Sequence, residues 1–185
     1  NETIEQFSRF LSRTLGSSID LNTELSRRKL FINVDSSQLE NALLNLSINA
    51  RDAMPDGGNI TISAKSYEHR GLRAGDSVNS KLDAPLRPGT YVMVSVEDTG
   101  EGISADDLVH VYEPFFTTKE VGKGSGLGLS MVYGFVQQSA GVCFIQSEVG
   151  KGTKVSMLFP ENSIDPGSME SESSIGDLQR AGSEV

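Results

Sequence analysis

"VSVEDTGEGIS", Val94 to Ser104, admits three readings, and each implies a different fold. Asp98-Thr99-Gly100 after an apolar strand is the tripeptide of an aspartic protease, whose chemistry needs two carboxylates sharing one proton. The chain holds that tripeptide once, so the protease reading requires a symmetric dimer. Gly100-x-Gly102-x-x-Ala105 has the spacing of a dinucleotide-binding turn. That turn opens directly from its strand and needs a carboxylate about twenty residues further on. Here Asp98 and Thr99 intervene, and the corresponding stretch, "TKEVG" (118–122), belongs to a loop-like run. In the third reading Asp98, at the end of a buried strand, accepts a hydrogen bond from an exocyclic amine such as that of adenine. Gly100 and Gly102 then let a flat base approach the backbone, and Ile103 packs against it. Only this reading makes use of the motifs on either side.

Upstream, "DSSQLENALLNLSINARDAM" (35–54) is the strongest helix in the chain, with Asp35 or a following Ser as its cap and "PDGG" (55–58) as its stop. On a wheel of about 100° per residue, Leu39, Leu43, Leu46, Ala50 and Ala53 form a core stripe, and Leu44 and Ile48 a second apolar patch. Asn41, Asn45 and Asn49 run between them, with Asp52 extending the line. Glu40, Ser47 and Arg51 fall on the remaining, solvent-like face. Amides enclosed by apolar residues need partners. One solution is an internal hydrogen-bond network. The other is a cleft floor that offers amide oxygens to a hard cation such as Mg²⁺ arriving with phosphates.

Downstream, "GKGSGLGLS" places glycine at 122, 124, 126 and 128 immediately before a helix. Alternating glycines free backbone N–H groups to curl around an anion, and the helix N-terminus adds its dipole. Lys119 and Lys123 stand in or beside the run. No Lys-Ser/Thr pair follows at the spacing of a Walker A loop.

The remaining elements place these motifs in one α/β sandwich, a mixed sheet with helices on one face. A helix is expected over 2–15, with Ile4, Phe7, Leu11 and Leu15 at helical spacing. Strands are expected at "SSIDLNTEL" (17–25), "RKLFINVD" (28–35), "NITISAKSY" (59–67), "TYVMVSVED" (90–98), "VCFIQSE" (142–148) and "TKVSMLFP" (153–160). A short helix is expected over 104–112 with Ser104 as N-cap, and a longer one over 127–140. "EHRGLRAGDSVNSKLDAPLRPG" (68–89) reads as a surface insertion, and residues 161–185 as an acidic, Ser- and Gly-rich linker or tail, disordered by composition. A net charge of −9 argues against a nucleic-acid-tracking surface. No apolar run approaches a membrane span, and no secretory or transit signal opens the chain. One cysteine, Cys143, excludes an internal disulfide framework and fits a reducing compartment. His69 and His110 are too few and too scattered for a zinc site.

"NALLNLSINARDAM", "DTGEGI", "EPFFTTK" and "GSGLGLS", in that order and spacing, resemble the N, G1, F and G2 boxes of sensor histidine kinases. "SEVGKGTKVSMLFP" is similar to their closing strands. The resemblance covers residues 1–160 and points to the catalytic ATP-binding domain of the GHKL superfamily, in the branch found in many hybrid kinases. It implies a Bergerat-type two-layer sandwich with a mobile ATP lid, hinged at Glu113–Phe116 and reaching to about Gly124. It also implies ATP and Mg²⁺ as cofactors, with Asn49 as the metal ligand and Asn45 supporting the phosphates. Asp98 would read adenine, with Gly100, Gly102 and Ile103 shaping the base pocket. Phe116, Gly124, Gly126, Leu127 and Gly128 would line the nucleotide, and Arg51, Asp52, Lys119 and Lys123 are further contacts.

The implied reaction is transfer of the γ-phosphoryl group to a histidine. The superfamily's ATPases carry a glutamate at the place of Asn45, and an amide cannot act as that base, so a kinase fits better than a hydrolase. His69 and His110 lack the acidic neighbour of an acceptor histidine, so the chain is expected to be a catalytic fragment that does not phosphorylate itself. Its partners would be a dimerisation and histidine-phosphotransfer domain of the same parent protein and a response-regulator receiver domain. A cytoplasmic setting is expected, with the parent free to be membrane-anchored and this domain making no membrane contact. The alternative is a non-catalytic nucleotide-sensing or protein-docking module of the same fold.

Overall fold

The computed structural model describes residues 1–70, 86–119 and 124–162. Five strands make one mixed sheet in the order β1-β2-β3-β5-β4, with β1 Ile19–Leu25, β2 Gly58–His69, β3 Gly89–Asp98, β4 Val142–Glu148 and β5 Gly152–Pro160. β1 runs parallel to β2 and every other pair is antiparallel. The parallel pair requires a crossover, and α2 (Ser36–Asp52) provides it. α1 (Glu2–Leu15) and α4 (Gly128–Gln138) pack beside α2, and α3 (Ala105–Leu108) is a single turn.

Alternation along the strands sends Ile60, Ile62, Ala64, Val92, Val94, Val96, Val155, Met157 and Phe159 into one buried cluster with Leu11, Leu39, Leu43, Leu46 and Val136 from the helices. The other face carries a cross-strand row, Ser63 beside Ser95 beside Ser156. All three serines are buried, and the Ser95 and Ser156 hydroxyls bond each other at 2.9 Å. The expected α/β sandwich is the architecture found.

Asp35 is the cap of α2, its Oδ1 accepting from the amides of Ser37 and Gln38. Ser104 caps α3 by accepting from Asp107 N, though that helix ends four residues before the expected Tyr112. The β2–β3 ladder reaches His69 opposite Gly89, so His69 ends a strand and stacks with Tyr67 instead of lying in a loop. Residues 71–85 of the expected insertion and 163–185 of the expected tail lie outside the described residues.

Two further expectations fail. "RKLFINVD" is not a strand of the sheet: after β1 the chain turns away, with Ser26 N bonded to Ala64 O. Ile32 then makes a lone bridge to Glu161. Its alternation is satisfied by packing, because Leu30 is buried and Ile32 lies against the core without a ladder. Arg28 pairs with Glu161 at 2.8 Å and fixes that crossing.

Ser47, placed on the solvent face of the wheel, is fully buried, and its hydroxyl has no hydrogen-bond partner among the described residues. α2 is covered on two sides, by the sheet and by its neighbouring helices, so its buried arc is wider than one stripe and takes in Ala42 and Ser47. An unpaired buried hydroxyl contributes little or works against folding. Ser47→Ala is therefore expected to leave unfolding free energy unchanged or raise it by up to about 1 kcal/mol, while Leu43→Ala lowers it by about 2–5 kcal/mol. Urea unfolding of the two variants measures both.

Candidate nucleotide site

The C-terminal half of α2 and the loop after β3 are held together through backbone. Glu101 N donates to Ala53 O at 3.1 Å, and a Cβ on Gly100 would lie 2.7 Å from the same oxygen. Gly102 has φ +73 and sits where a Cβ would meet the carbonyl of Glu148, and one on Gly152 would meet that of Asp98. These glycines are needed for close approach as well as for conformation. They place Asp98 in the wall of a cavity of about 380 Å³, whose other walls include Asn45, Asn49, Asp52, Gly102, Ile103 and Phe116. Lys119, Gly124, Gly126 and Gly128 complete its rim.

Among the described residues, Asp98 is oriented by main chain alone. Its Oδ1 accepts from Gly100 N at 2.9 Å and Thr153 N at 3.1 Å, which leaves Oδ2 for the cavity. Burial pushes its carboxyl pKa up, the two N–H groups pull it down, and neighbouring Glu97 raises it again, with a net upward shift. Beside it Ser147 Oγ accepts from Ile103 N at 2.8 Å and bonds Gly152 O and Thr153 Oγ1. This one hydroxyl therefore fixes Ile103, the strand β5 and, through Thr153, the aspartate. Ile48, Val96, Ile145 and Val155 supply apolar wall of the same cavity, a mix suited to a flat heteroaromatic ligand with one polar edge.

At the other end, a methyl group on Gly128 would lie 3.5 Å from Asn49 Nδ2 and 3.8 Å from Asn45 Oδ1. The first turn of α4 thus faces the two asparagines, and no side chain caps it. Uncapped N–H groups and the helix dipole make this an anion-receptive corner. Gly126, at φ +65, abuts the backbone of Phe115, whose N–H donates to Gly126 O at 2.9 Å. Phe115 itself holds a left-handed φ of 69° and stands exposed. Lys119 Nζ reaches Asp52 Oδ2 at 2.7 Å and Asn49 Oδ1 at 3.4 Å. Burial works to raise the Asp52 pKa, but hydrogen bonds from Lys119 and Arg51 outweigh it and the net shift is downward.

Residues 34–163 match the family model described as histidine kinase-, DNA gyrase B- and HSP90-like ATPase. The chain belongs to that family. Among relatives, the sensor kinase CckA of Brucella abortus (strain 2308) is 46% identical over 150 residues, which is 81% of this chain and 15% of CckA. Sporulation kinase A of Bacillus subtilis (strain 168) is 34% identical over 143 residues, 77% of this chain and 20% of that protein. The chain therefore spans a fifth or less of these relatives. Full-length ShkA, solved in complex with AMPPNP, superposes with a TM-score of 0.65 at 22% identity, covering 88% of this chain and 30% of ShkA. The two-layer ATPase fold of the family is thus the fold of this chain.

Of the candidate site residues singled out in sequence, the cavity gathers eleven: Asn45, Asn49, Asp52, Asp98, Gly102, Ile103, Phe116, Lys119, Gly124, Gly126 and Gly128. Gly100 lies behind Asp98 rather than in the wall, Leu127 is the residue before α4, and Arg51 turns to Asp52 at 2.7 Å. None of these three lines the cavity. Lys123 lies outside the described residues. The enclosed amide row is also shorter than the wheel implied: Asn41 is exposed and lines a separate groove between α2 and α4, while Asn45 borders both. Neither histidine enters the cavity. His110 pairs with Glu113 and its ring lies against Phe116.

Sequence reasoning missed Ser147, Thr153 and Ala53. Thr153 and Ala53 act through backbone atoms that no side-chain pattern reports; Ser147 had one legible signal, a polar residue on the strand face that Cys143 and Ile145 turn toward the core. Ser147→Ala leaves the Ile103 N–H without that acceptor and is expected to cost about 1–2 kcal/mol of stability. Thermal unfolding measures the loss, and Thr153→Val, which keeps the backbone donor to Asp98, is expected to cost less.

Proposed function

We propose that this domain binds Mg-ATP and transfers the γ-phosphoryl group to a histidine on a dimerisation domain of its parent protein. The observation that carries the reading is the half-satisfied Asp98: one oxygen is held by two backbone donors, and the other is left for a cavity with an apolar wall. In that arrangement Oδ2 accepts the adenine amino group, Gly102 gives the ring room, and Ile103 and the apolar wall cover its faces. Phosphates then fall toward Asn45, Asn49, Lys119 and the first turn of α4, with Gly124, Gly126 and Gly128 permitting close backbone approach. The donor set suits magnesium, since Asn49 Oδ1 already faces a cationic group. A bound ion would supply charge neutralisation along the phosphates.

The chain's own contribution is positioning and charge. The bond from γ-phosphorus to the β–γ bridging oxygen breaks as the bond to an imidazole nitrogen forms, and ADP leaves. Asn45, an amide, cannot take a proton from water, which favours transfer over hydrolysis. His69 stacks on Tyr67 at the end of β2 and His110 sits against Glu113, so the acceptor is assigned to the partner domain, with a receiver domain as the next phosphate carrier. On this reading residues 1–160 are the catalytic domain and 161–185 a linker. A cytoplasmic setting follows from the need for ATP. Among the described residues no helix is long and apolar enough to cross a membrane.

Calorimetry with AMPPNP and Mg²⁺, followed by incubation with the separately expressed dimerisation domain and ATP, tests the proposal. Asp98→Asn is expected to weaken analogue binding by at least about tenfold, the worth of a hydrogen bond to a charged group, and Asn49→Ala to weaken its Mg²⁺-dependent part. Absence of phosphohistidine with intact binding would leave a nucleotide-sensing module instead.

Titration gives a second check. The hydrogen bond needs ionised Asp98, whose pKa is raised by burial. Affinity should be full above that raised value and fall as pH drops through it, at a higher pH than for an exposed aspartate. The ligand's own titrations are common to both proteins, so this component should be absent from Asp98→Asn.

A further inference from the structure

Lys119 and Asp52 form a contact whose role goes beyond lining the cavity. Asn49 and Asp52 stand three residues apart on α2, so both side chains leave the same face of the helix. Between Asn49 Oδ1, at 3.4 Å, and Asp52 Oδ2, at 2.7 Å, lies the ammonium of Lys119. Arg51 holds the other carboxylate oxygen, Oδ1, from Nε and Nη2 at 3.1 and 2.7 Å. This orients the aspartate and turns Oδ2 inward. The Lys119 and Asp52 side chains are only 31% and 26% exposed. An amide oxygen and a carboxylate oxygen are the hard donors a divalent ion selects, and a monovalent cation from the protein itself is lodged between them.

We propose that these three residues form a cation-exchange seat. Asp52 joins Asn49 in facing the divalent cation, and Lys119 keeps that place until a metal-loaded nucleotide displaces it. The inference rests on the Mg-ATP reading and deepens it. An ammonium and a divalent ion cannot share one position a few ångströms across, because they repel. The exchange also has a direction: Arg51 stays on Oδ1, but a half-buried Oδ2 left without its own cation is unfavourable, so the lysine leaves as the metal arrives. Once displaced, Lys119 can turn to the phosphates that come with the metal. Metal-free nucleotide offers the two oxygens no replacement cation, so it has to bind with the lysine still in its seat.

The test measures Mn²⁺ alone, by electron paramagnetic resonance, on the nucleotide-free chain as wild type, Lys119→Met, Lys119→Arg and the double variant Lys119→Met/Asp52→Asn. AMPPNP calorimetry and thermal melting are run on the same samples. Removing the resident cation should tighten Mn²⁺ binding by about tenfold, an ordinary size for coupling between two ligands. Lys119→Arg should bind Mn²⁺ as weakly as wild type, and the double variant should lose the gain. Equal Mn²⁺ affinity in wild type and Lys119→Met overturns the proposal, as does a gain that survives Asp52→Asn. Failure of wild type to bind AMPPNP would count against the nucleotide reading, whereas the Mn²⁺ series judges the seat independently of it.

Discussion

The site depends on one close backbone approach, that of the loop after β3 to the end of α2. Gly100 packs where any side chain would strike the Ala53 carbonyl, and Glu101 donates to that carbonyl. Without this contact the sheet would still form, since its ladders and core do not involve residues 99–102. What would be lost is the distance between Asp98, at the end of a strand, and Asn49 and Asp52, on a helix. Gly102 against Glu148 and Gly152 against Asp98 repeat the device on the other side. The cavity is thus clamped between three segments remote in sequence, each meeting the next through a glycine.

The same construction sets two carboxylates apart. Asp98 and Asp52 both line the cavity, yet burial drives the first toward its neutral form while Lys119 and Arg51 hold the second ionised. Their surroundings differ in kind. Asp98 is steadied by neutral backbone dipoles, which orient one oxygen without cancelling the charge. Asp52 is steadied by cations. A single hydrogen-bonded edge of a base suits the first environment, and mobile positive charge suits the second. The apolar wall and the charged rim therefore follow from which partners each aspartate was given.

Legibility in the sequence follows the same division. α2, the Asp35 and Ser104 caps and Asp98 were all readable, because side-chain type at helical or strand spacing determines them. Most of the glycine positions were readable too, since a glycine marks a place where backbone must come close. "RKLFINVD" misled because alternation reports which side of a segment is buried and says nothing of whether it pairs. Ser47 misled because a wheel assumes one buried stripe, whereas α2 is covered by the sheet and by neighbouring helices. Ser147 left only a faint signal and Thr153 none as site residues: their effect on Asp98 and Ile103 passes through N–H groups brought together by the β4–β5 hairpin.

Asn45 is shared by the cavity and a surface groove. It lines that cavity and also the groove between α2 and α4, where Asn41 and the exposed Met131 are its neighbours. The amide row that sequence suggested was enclosed is therefore graded: Asn49 and Asn45 are half-buried, and Asn41 is in solvent. A hydrolase needs a base beside the phosphates and gains from excluding everything but one water. On the proposed reading this chain puts a neutral amide there, and that amide also borders the groove along the helix. Phosphoryl transfer to another domain requires such an opening, because the acceptor nitrogen must come within bonding range of phosphorus while adenine stays buried. Geometry at Asn45 and chemistry at Asn45 thus favour the same outcome for independent reasons, one steric and one concerned with proton transfer.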